Sequence, residues 1–170
     1  LTVKTSADGV SVGAFVPALV GTVQSPSLTL AVADRKALQA TTAVTTFTFS
    51  TQTVIPSGGT ITITLPANYF SAKAAPAGVL VPATGGATLT ATCTLPAGTL
   101  TIVCETATAD LAAGAHKITF AAGELTTGTA TAGSATGLTV KTATDAVSAG
   151  ASAPALVTAV ASVSITFAAG

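Results

Sequence analysis

Residues 42–65, TAVTTFTFSTQTVIPSGGTITITL, carry the pattern that decides the fold. Their first ten residues alternate, with Phe47 and Phe49 on one face and Thr46 and Thr48 on the other. After the turn residues Ile55-Pro56-Ser57-Gly58-Gly59 the alternation resumes, with Ile61, Ile63 and Leu65 facing inward and Thr60, Thr62 and Thr64 outward. A period of two marks a strand with one buried face, and a Pro-Ser-Gly-Gly break between two such runs is a turn. Threonine and β-branched residues suit a pleated, half-buried surface.

The same pattern extends in both directions. SLTLAVA (27–33), ATLTATCT (87–94), TLTIVCE (99–105), HKITF (116–120) and LTVKT (138–142) all alternate. Pro66-Ala67-Asn68, Leu95-Pro96-Ala97-Gly98 and Ala112-Ala113-Gly114 punctuate them. No sustained 3.6-residue apolar stripe interrupts the series. Residues 71–87, with Pro76, Pro82 and Gly85-Gly86, read as a long loop. The expectation is an all-β, antiparallel sandwich of immunoglobulin-like type with about 7–9 short strands. Its core is expected around Phe47, Phe49, Ile61, Ile63, Leu65, Ile118 and Phe120. Tyr69-Phe70, the one adjacent aromatic pair, is expected to plug a strand end.

The chain also repeats itself. Residues 1–33, LTVKTSADGVSVGAFVPALVGTVQSPSLTLAVA, align without a gap on residues 138–170, LTVKTATDAVSAGASAPALVTAVASVSITFAAG. Nineteen of the 33 aligned positions are identical, at a constant offset of 137. A fixed long period is the mark of an array. The organisation expected is a linking or donor segment, 1–26, a sandwich body, 27–137, and a second copy, 138–170, that completes the sandwich or begins the next repeat. Residues Leu1, Val3, Val10, Leu19 and Val20, with their counterparts Leu138, Val140, Val147, Leu156 and Val157, are the candidate inter-module positions. A chain starting Leu-Thr-Val reads as a processed product or a segment of a longer one.

Composition excludes several classes of function. Six Lys+Arg balance six Asp+Glu, and charged residues are 7% of the 170, against roughly 25% in ordinary globular domains. No basic patch is available for phosphates, so nucleic acid is not an expected partner. The 34 Thr take the place of the missing charge. A neutral surface of this kind associates unless neighbours or glycan cover it. The uncharged run 146–170 is long enough to cross a bilayer, but Pro154, its glycines and its many hydroxyl residues argue against a span.

Cys93 and Cys104 flank a Pro-Gly loop, and one disulfide across a hairpin is the simplest reading. Two buried free thiols are the alternative. A metal site is not expected, because His116 is the only histidine and no second ligand pair stands near the cysteines. Asp8, Asp34, Glu105, Asp110, Glu124 and Asp145 are scattered singly, and no calcium loop, nucleophile elbow or phosphate loop is present. No catalytic residue and no cofactor are expected. His116 reads as structural or solvated. Asp34-Arg35-Lys36 reads as a solvated turn or a contact to the next repeat. Asp8 and its counterpart Asp145 read as turn caps.

The strands TFTFST and TITITLPANYF, the cysteine pair and the recurring LTVKT…PALV segment together resemble tandem immunoglobulin-like repeats of giant secreted adhesins and extracellular filament proteins. The resemblance implies architecture, and no functional residue is carried over from it. The expected function is structural: a repeat of an extracellular filament or cell-surface fibre, partnered by itself through strand addition or covalent repetition. A ligand-binding adhesin domain is the alternative, and an ice-binding protein with threonine rows a remote one. Asn68 is followed by Tyr69-Phe70, so no N-glycosylation consensus exists. O-linked glycan on outward threonines such as Thr46, Thr48, Thr60, Thr62 and Thr64 remains open.

Overall fold

The alternating runs become nine antiparallel strands in a computed structural model that describes residues 20–82, 88–106 and 109–158. They are β1 (Gln24–Thr29), β2 (Thr45–Thr51), β3 (Thr60–Thr64), β4 (Ala77–Pro82), β5 (Leu89–Thr94), β6 (Thr101–Thr106), β7 (Gly114–Phe120), β8 (Ser134–Thr142) and β9 (Ala151–Ala153). One 3₁₀ turn, Val32–Asp34, is the only helical element among the described residues.

The strands pair in the order β1-β2-β7-β4-β5-β6-β3-β8-β9. Every paired neighbour is antiparallel. The sheet curls until its two edges meet: Thr22, ahead of β1, pairs in parallel with Ala146, beyond β8. The result is a nearly closed, barrel-like sheet. Closure leaves few free N–H and C=O groups for unwanted pairing, the main liability of an open sheet.

One face of every long strand fills the interior. Phe47 and Phe49 of β2, Ile61 and Ile63 of β3, Leu80 of β4, Ile102 of β6, Ile118 and Phe120 of β7, and Leu138 and Val140 of β8 are buried in one core. Leu65 joins them, so all the core residues expected from the alternation are inside. Phe47 and Phe120 meet edge to face at 6.1 Å, the favoured arrangement for aromatic rings. Tyr69 and Phe70 are buried beside the strand ends, their rings 5.1 Å apart.

Residues 71–87 are not a single loop. Ala77–Pro82 forms β4, which links β7 to β5 and lets the sheet curl round. Its apolar, Ala-Gly-Val-rich strand has no alternating polar partner residues, so its period is invisible in sequence. Gly78 is required there: a Cβ would lie 2.6 Å from Cys93 Sγ and 3.3 Å from the Phe120 ring.

Candidate functional site

Cys93 and Cys104 are register partners on β5 and β6 and form a disulfide, with both residues buried in the core. The bridge staples a hairpin whose turn is Pro96-Ala97-Gly98. Its role is covalent support of strands already paired.

The expected inter-module residues divide by exposure. Leu138, Val140 and Leu156 are core residues, whereas Val20, Val147 and Val157 are exposed. Leu1, Val3, Val10 and Leu19 lie outside the described residues. The exposed three sit where the chain joins and leaves the barrel, and each of those places is held by a buried carboxylate.

At the incoming end, Val23 N–H donates to Ala146 O (3.1 Å) and Ala146 N–H to Gly21 O (2.8 Å). Thr22 N–H donates to the Gln52 side chain at 2.9 Å. Asp145, 3% exposed, accepts from Gln52 N–H (2.9 Å), Thr53 N–H (3.3 Å) and Thr53 Oγ1 (2.7 Å). The Thr144 hydroxyl donates to Val54 O at 3.0 Å. Gly21 packs so closely on this group that a Cβ there would overlap Asp145 Oδ1. Three segments, 21–23, 52–54 and 144–146, are thereby tied together. Asp145 does not cap its own turn as the sequence implied: its carboxylate reaches across the fold to the residues that follow β2, and the Thr142 hydroxyl accepts from the Thr144 and Asp145 N–H groups in its place.

At the outgoing end, Leu156 and Thr131 exchange backbone hydrogen bonds of 2.9 Å each. Val157 N–H donates to Arg35 O (3.0 Å), and Ala37 N–H donates to Val157 O (2.9 Å). Asp34 is buried, not solvated as its charged neighbours implied. Its carboxylate accepts from Thr42 N–H (2.7 Å), Thr42 Oγ1 (2.6 Å) and Ala43 N–H (3.0 Å). Burial alone would raise its pKa, but the bonds from Thr42 and Ala43 outweigh it and hold the group below its ordinary value. Tyr69 donates its hydroxyl to Pro154 O at 2.9 Å, and burial pushes its pKa up to about 12, against a small opposing effect of Arg35.

The two carboxylates bracket β2: Asp34 holds residues 42–43 before it, and Asp145 holds residues 52–53 after it. They also mark opposite ends of the barrel. Thr22 pairs with Ala146, past the end of β8, and Leu156 pairs with Thr131, ahead of its start. Nine residues of β8 lie between, a length of roughly 30 Å at about 3.3 Å per residue. The chain enters at one end and leaves at the other.

The other titratable groups among the described residues make no hydrogen bond or ion pair with these two carboxylates. His116 is buried against Phe49, and its Nε2 lies 3.1 Å from Thr51 Oγ1. Burial lowers its pKa, the Ala112 carbonyl offsetting part of the effect. Lys73 and Glu124 form an ion pair of 2.8 Å, the only one among the described residues. No group of three or more His, Cys, Asp or Glu is placed to hold a metal among the described residues. No helix among them is long and apolar enough to cross a membrane.

The threonine rows lie on the outside. Thr88, Thr90, Thr92 and Thr94 are exposed, while Thr46, Thr48, Thr60, Thr62 and Thr64 are half-buried. Thr48 is further occupied by a 2.6 Å hydroxyl contact with Ser27. Glu105 pairs with Thr60 and Thr92, and Lys141 with Thr62, so charges interrupt the rows. A shallow depression of about 540 Å³ crosses β1, β2, β7 and β4, lined by Thr48, Ser50, Pro82 and Lys117 among others.

No protein-family model, no curated protein and no solved structure matches this chain.

Proposed function

We propose that the chain is a non-catalytic structural repeat of an extracellular filament or cell-surface fibre, its modules joined end to end. The observation that carries this reading is how the repeated segment is used. Within 138–156 seven positions are buried: Leu138, Val140, Thr142, Asp145, Ser148, Ala153 and Leu156. Six have the identical residue in the first copy, Leu1, Val3, Thr5, Asp8, Ser11 and Leu19, and the seventh has Val16. The other five substitutions, at 143, 144, 146, 149 and 152, fall on exposed or half-exposed positions. The second half of the segment behaves alike: Val23, Leu28 and Leu30, which pack on the core, correspond to Val160, Ile165 and Phe167. Both copies are therefore written for the same place in the fold, and one fold has room for one copy. The surplus belongs to neighbours.

An immunoglobulin-like sandwich is the architecture we infer for the module. Its support is the crossing pattern: β2 pairs β7 and β3 pairs β8, while β2→β3 and β7→β8 each pass from one half of the sheet to the other. With the β5–β6 hairpin counted as an insertion, β7 and β8 are the fifth and sixth strands, and pairing of second with fifth and third with sixth is the Greek-key pattern of that class. A disulfide in the core accords with an oxidising, extracellular setting. A surface poor in charge and rich in threonine is suited to cover by neighbours or O-linked glycan.

The test is electron microscopy of the native material, with mass determination after boiling in detergent and reductant. Ordered filaments that yield a species far above 16.2 kDa mean covalent repeats. Filaments that yield a species near that mass, with or without glycan, mean strand exchange. Monodisperse particles without filaments refute the structural reading and favour the adhesin alternative, with the shallow depression on β1-β2-β7-β4 as a candidate ligand site.

A further inference from the structure

We infer that successive repeats abut without a linker, through two apolar end faces that meet at the Val157/Val20 position; the inference rests on the repeat reading above. The offset of 137 makes Val157 of one repeat the Val20 of the next. Val157 has both its N–H and its C=O bonded to its own barrel, at Arg35 and Ala37. The following position, represented by Gly21, has its C=O bonded by Ala146 of the barrel it enters. The last residue bonded to one repeat is therefore followed directly by the first residue bonded to the next. Three residues, 157–159, separate the buried position Leu156 from that of Val160, the counterpart of Val23. From position 156 to position 160 is four steps of the chain, about 14 Å at most, so the two barrels are forced into contact.

The surfaces forced together are apolar. Of the nine exposed large hydrophobic residues among the described ones, eight lie outside the strands, Val79 of β4 being the exception, and seven of the eight fall into two groups. Val32, Leu38 and Val44 flank Asp34 and the residues 42–43 it holds at the outgoing end, and Val157 pairs beside them with Arg35 and Ala37. Val20, Val54 and Val147 surround the incoming end, on the three segments held by Asp145. Exposed valines and leucines grouped this way mark an interaction surface. The occupant of each is the opposite end of the adjoining repeat, a heterologous contact that propagates in a line.

Exchange between identical chains requires a local rearrangement at the next position, and covalent repetition requires a following repeat that differs from this one beside it. The second copy has Thr158 where the first has Gly21. In an exchange polymer Thr158 would take the place of Gly21, where a Cβ overlaps Asp145 Oδ1 and lies 2.9 Å from Gln52 Cβ.

A chain extended by one internal repeat, residues 1–157 followed by 21–170, tests this. Backbone ¹⁵N relaxation reads whether the two barrels tumble as one body. The expected result is a single shared rotational diffusion tensor, lost when Val54→Asp is placed in the second repeat or Leu38→Asp in the first, and kept with Val79→Asp in either. Independent tumbling of the unsubstituted double chain overturns the end-face contact and leaves the repeat reading standing. Equal loss with Val79→Asp also overturns it. If the added repeat fails to give a second set of folded amide signals, the repeat reading itself falls. Replacing the junction by 1–158 followed by 22–170 puts Thr158 against Asp145, and a lower melting temperature of the second barrel is expected. An unchanged one overturns the need for rearrangement at that position.

Discussion

Asp145→Ala is the substitution that most directly probes how the incoming segment is held. The carboxylate is 3% exposed and accepts three hydrogen bonds, from Gln52 N–H, Thr53 N–H and the Thr53 hydroxyl. A bond to a charged group contributes about 1.5–3 kcal/mol, and an unsatisfied buried donor costs about 1–3 kcal/mol. Gln52 is exposed and Thr53 half-exposed, so water replaces part of what is lost. The expected destabilisation is about 3 kcal/mol, below the sum of the three bonds. For a domain of this size that lowers Tm by about 6–12 °C, read by differential scanning calorimetry. Hydrogen exchange should localise the damage, with the Val23 and Ala146 amides losing protection before those of β2 and β7. Asp145→Asn should rescue part of the loss, because its amide oxygen can take the place of Oδ2 and accept from both backbone N–H groups while its NH₂ donates to the Thr53 hydroxyl. A Tm of Asp145→Ala within 2 °C of the parent chain would refute the reasoning. Asp8→Ala is the matched control: under the repeat reading its partners belong to a preceding module, so this chain's Tm stays unchanged.

Three further predictions concern stability. Removing the disulfide with Cys93→Ala and Cys104→Ala frees a loop of separation 11; the loop-entropy relation gives about 3 kcal/mol, a calorimetric Tm loss of about 6–12 °C that reduction of the parent chain reproduces. Asp34 titrates below its ordinary 3.8 when folded, so the unfolded chain takes up its proton first; the contribution is present above about pH 3.8 and lost as pH falls below it. Urea midpoints between pH 5 and pH 2 should therefore fall less steeply in Asp34→Asn, and an unchanged slope would contradict the clamp. His116 has a folded pKa below 6.5 because it is buried, so stability is full above about pH 6.5 and declines as pH drops through and below that value; His116→Gln should flatten that part of the profile.

Much of the fold was legible because threonine and β-branched residues alternate so regularly. The core of β2, β3 and β7 follows from TFTFST, TITITL and HKITF, and the cysteine pairing follows from two positions symmetric about a Pro-Gly turn. What escaped the sequence are features that depend on distant partners. β4 has no polar face to mark its period, because Gly78 exists to admit Cys93 and Phe120 from other strands. β9 is three residues long and paired irregularly with β8. Asp34 looked solvated beside Arg35 and Lys36, since nothing local reveals that Thr42 and Ala43 turn back to satisfy it. The recurrence of Asp at positions 8 and 145 was the one available signal for the clamp at the incoming end, and it named the residue without naming its partners.

Under the repeat reading, tension applied along a fibre enters each barrel at residues 21–23 and leaves at Leu156–Val157, beyond opposite ends of β8. The incoming strand β1 runs antiparallel to β2 from Gln24 opposite Ser50 to Thr29 opposite Thr46, so it is pulled along its own axis. Ladder bonds perpendicular to a strand are then loaded together in shear and do not open one at a time. A light core with 4% aromatic residues suffices if backbone bonds bear the load. The weakest point is the short Thr22–Ala146 pairing, which Asp145 braces. Pulling single chains from residues 20 and 157 should give one cooperative rupture per repeat, at lower force in Asp145→Ala and at unchanged force in the Cys93→Ala/Cys104→Ala variant, whose strands β5 and β6 lie in the middle of the strand order, away from β1 and β9. Equal loss of force in the two variants would mean that resistance tracks overall stability, and the load-path argument would fail.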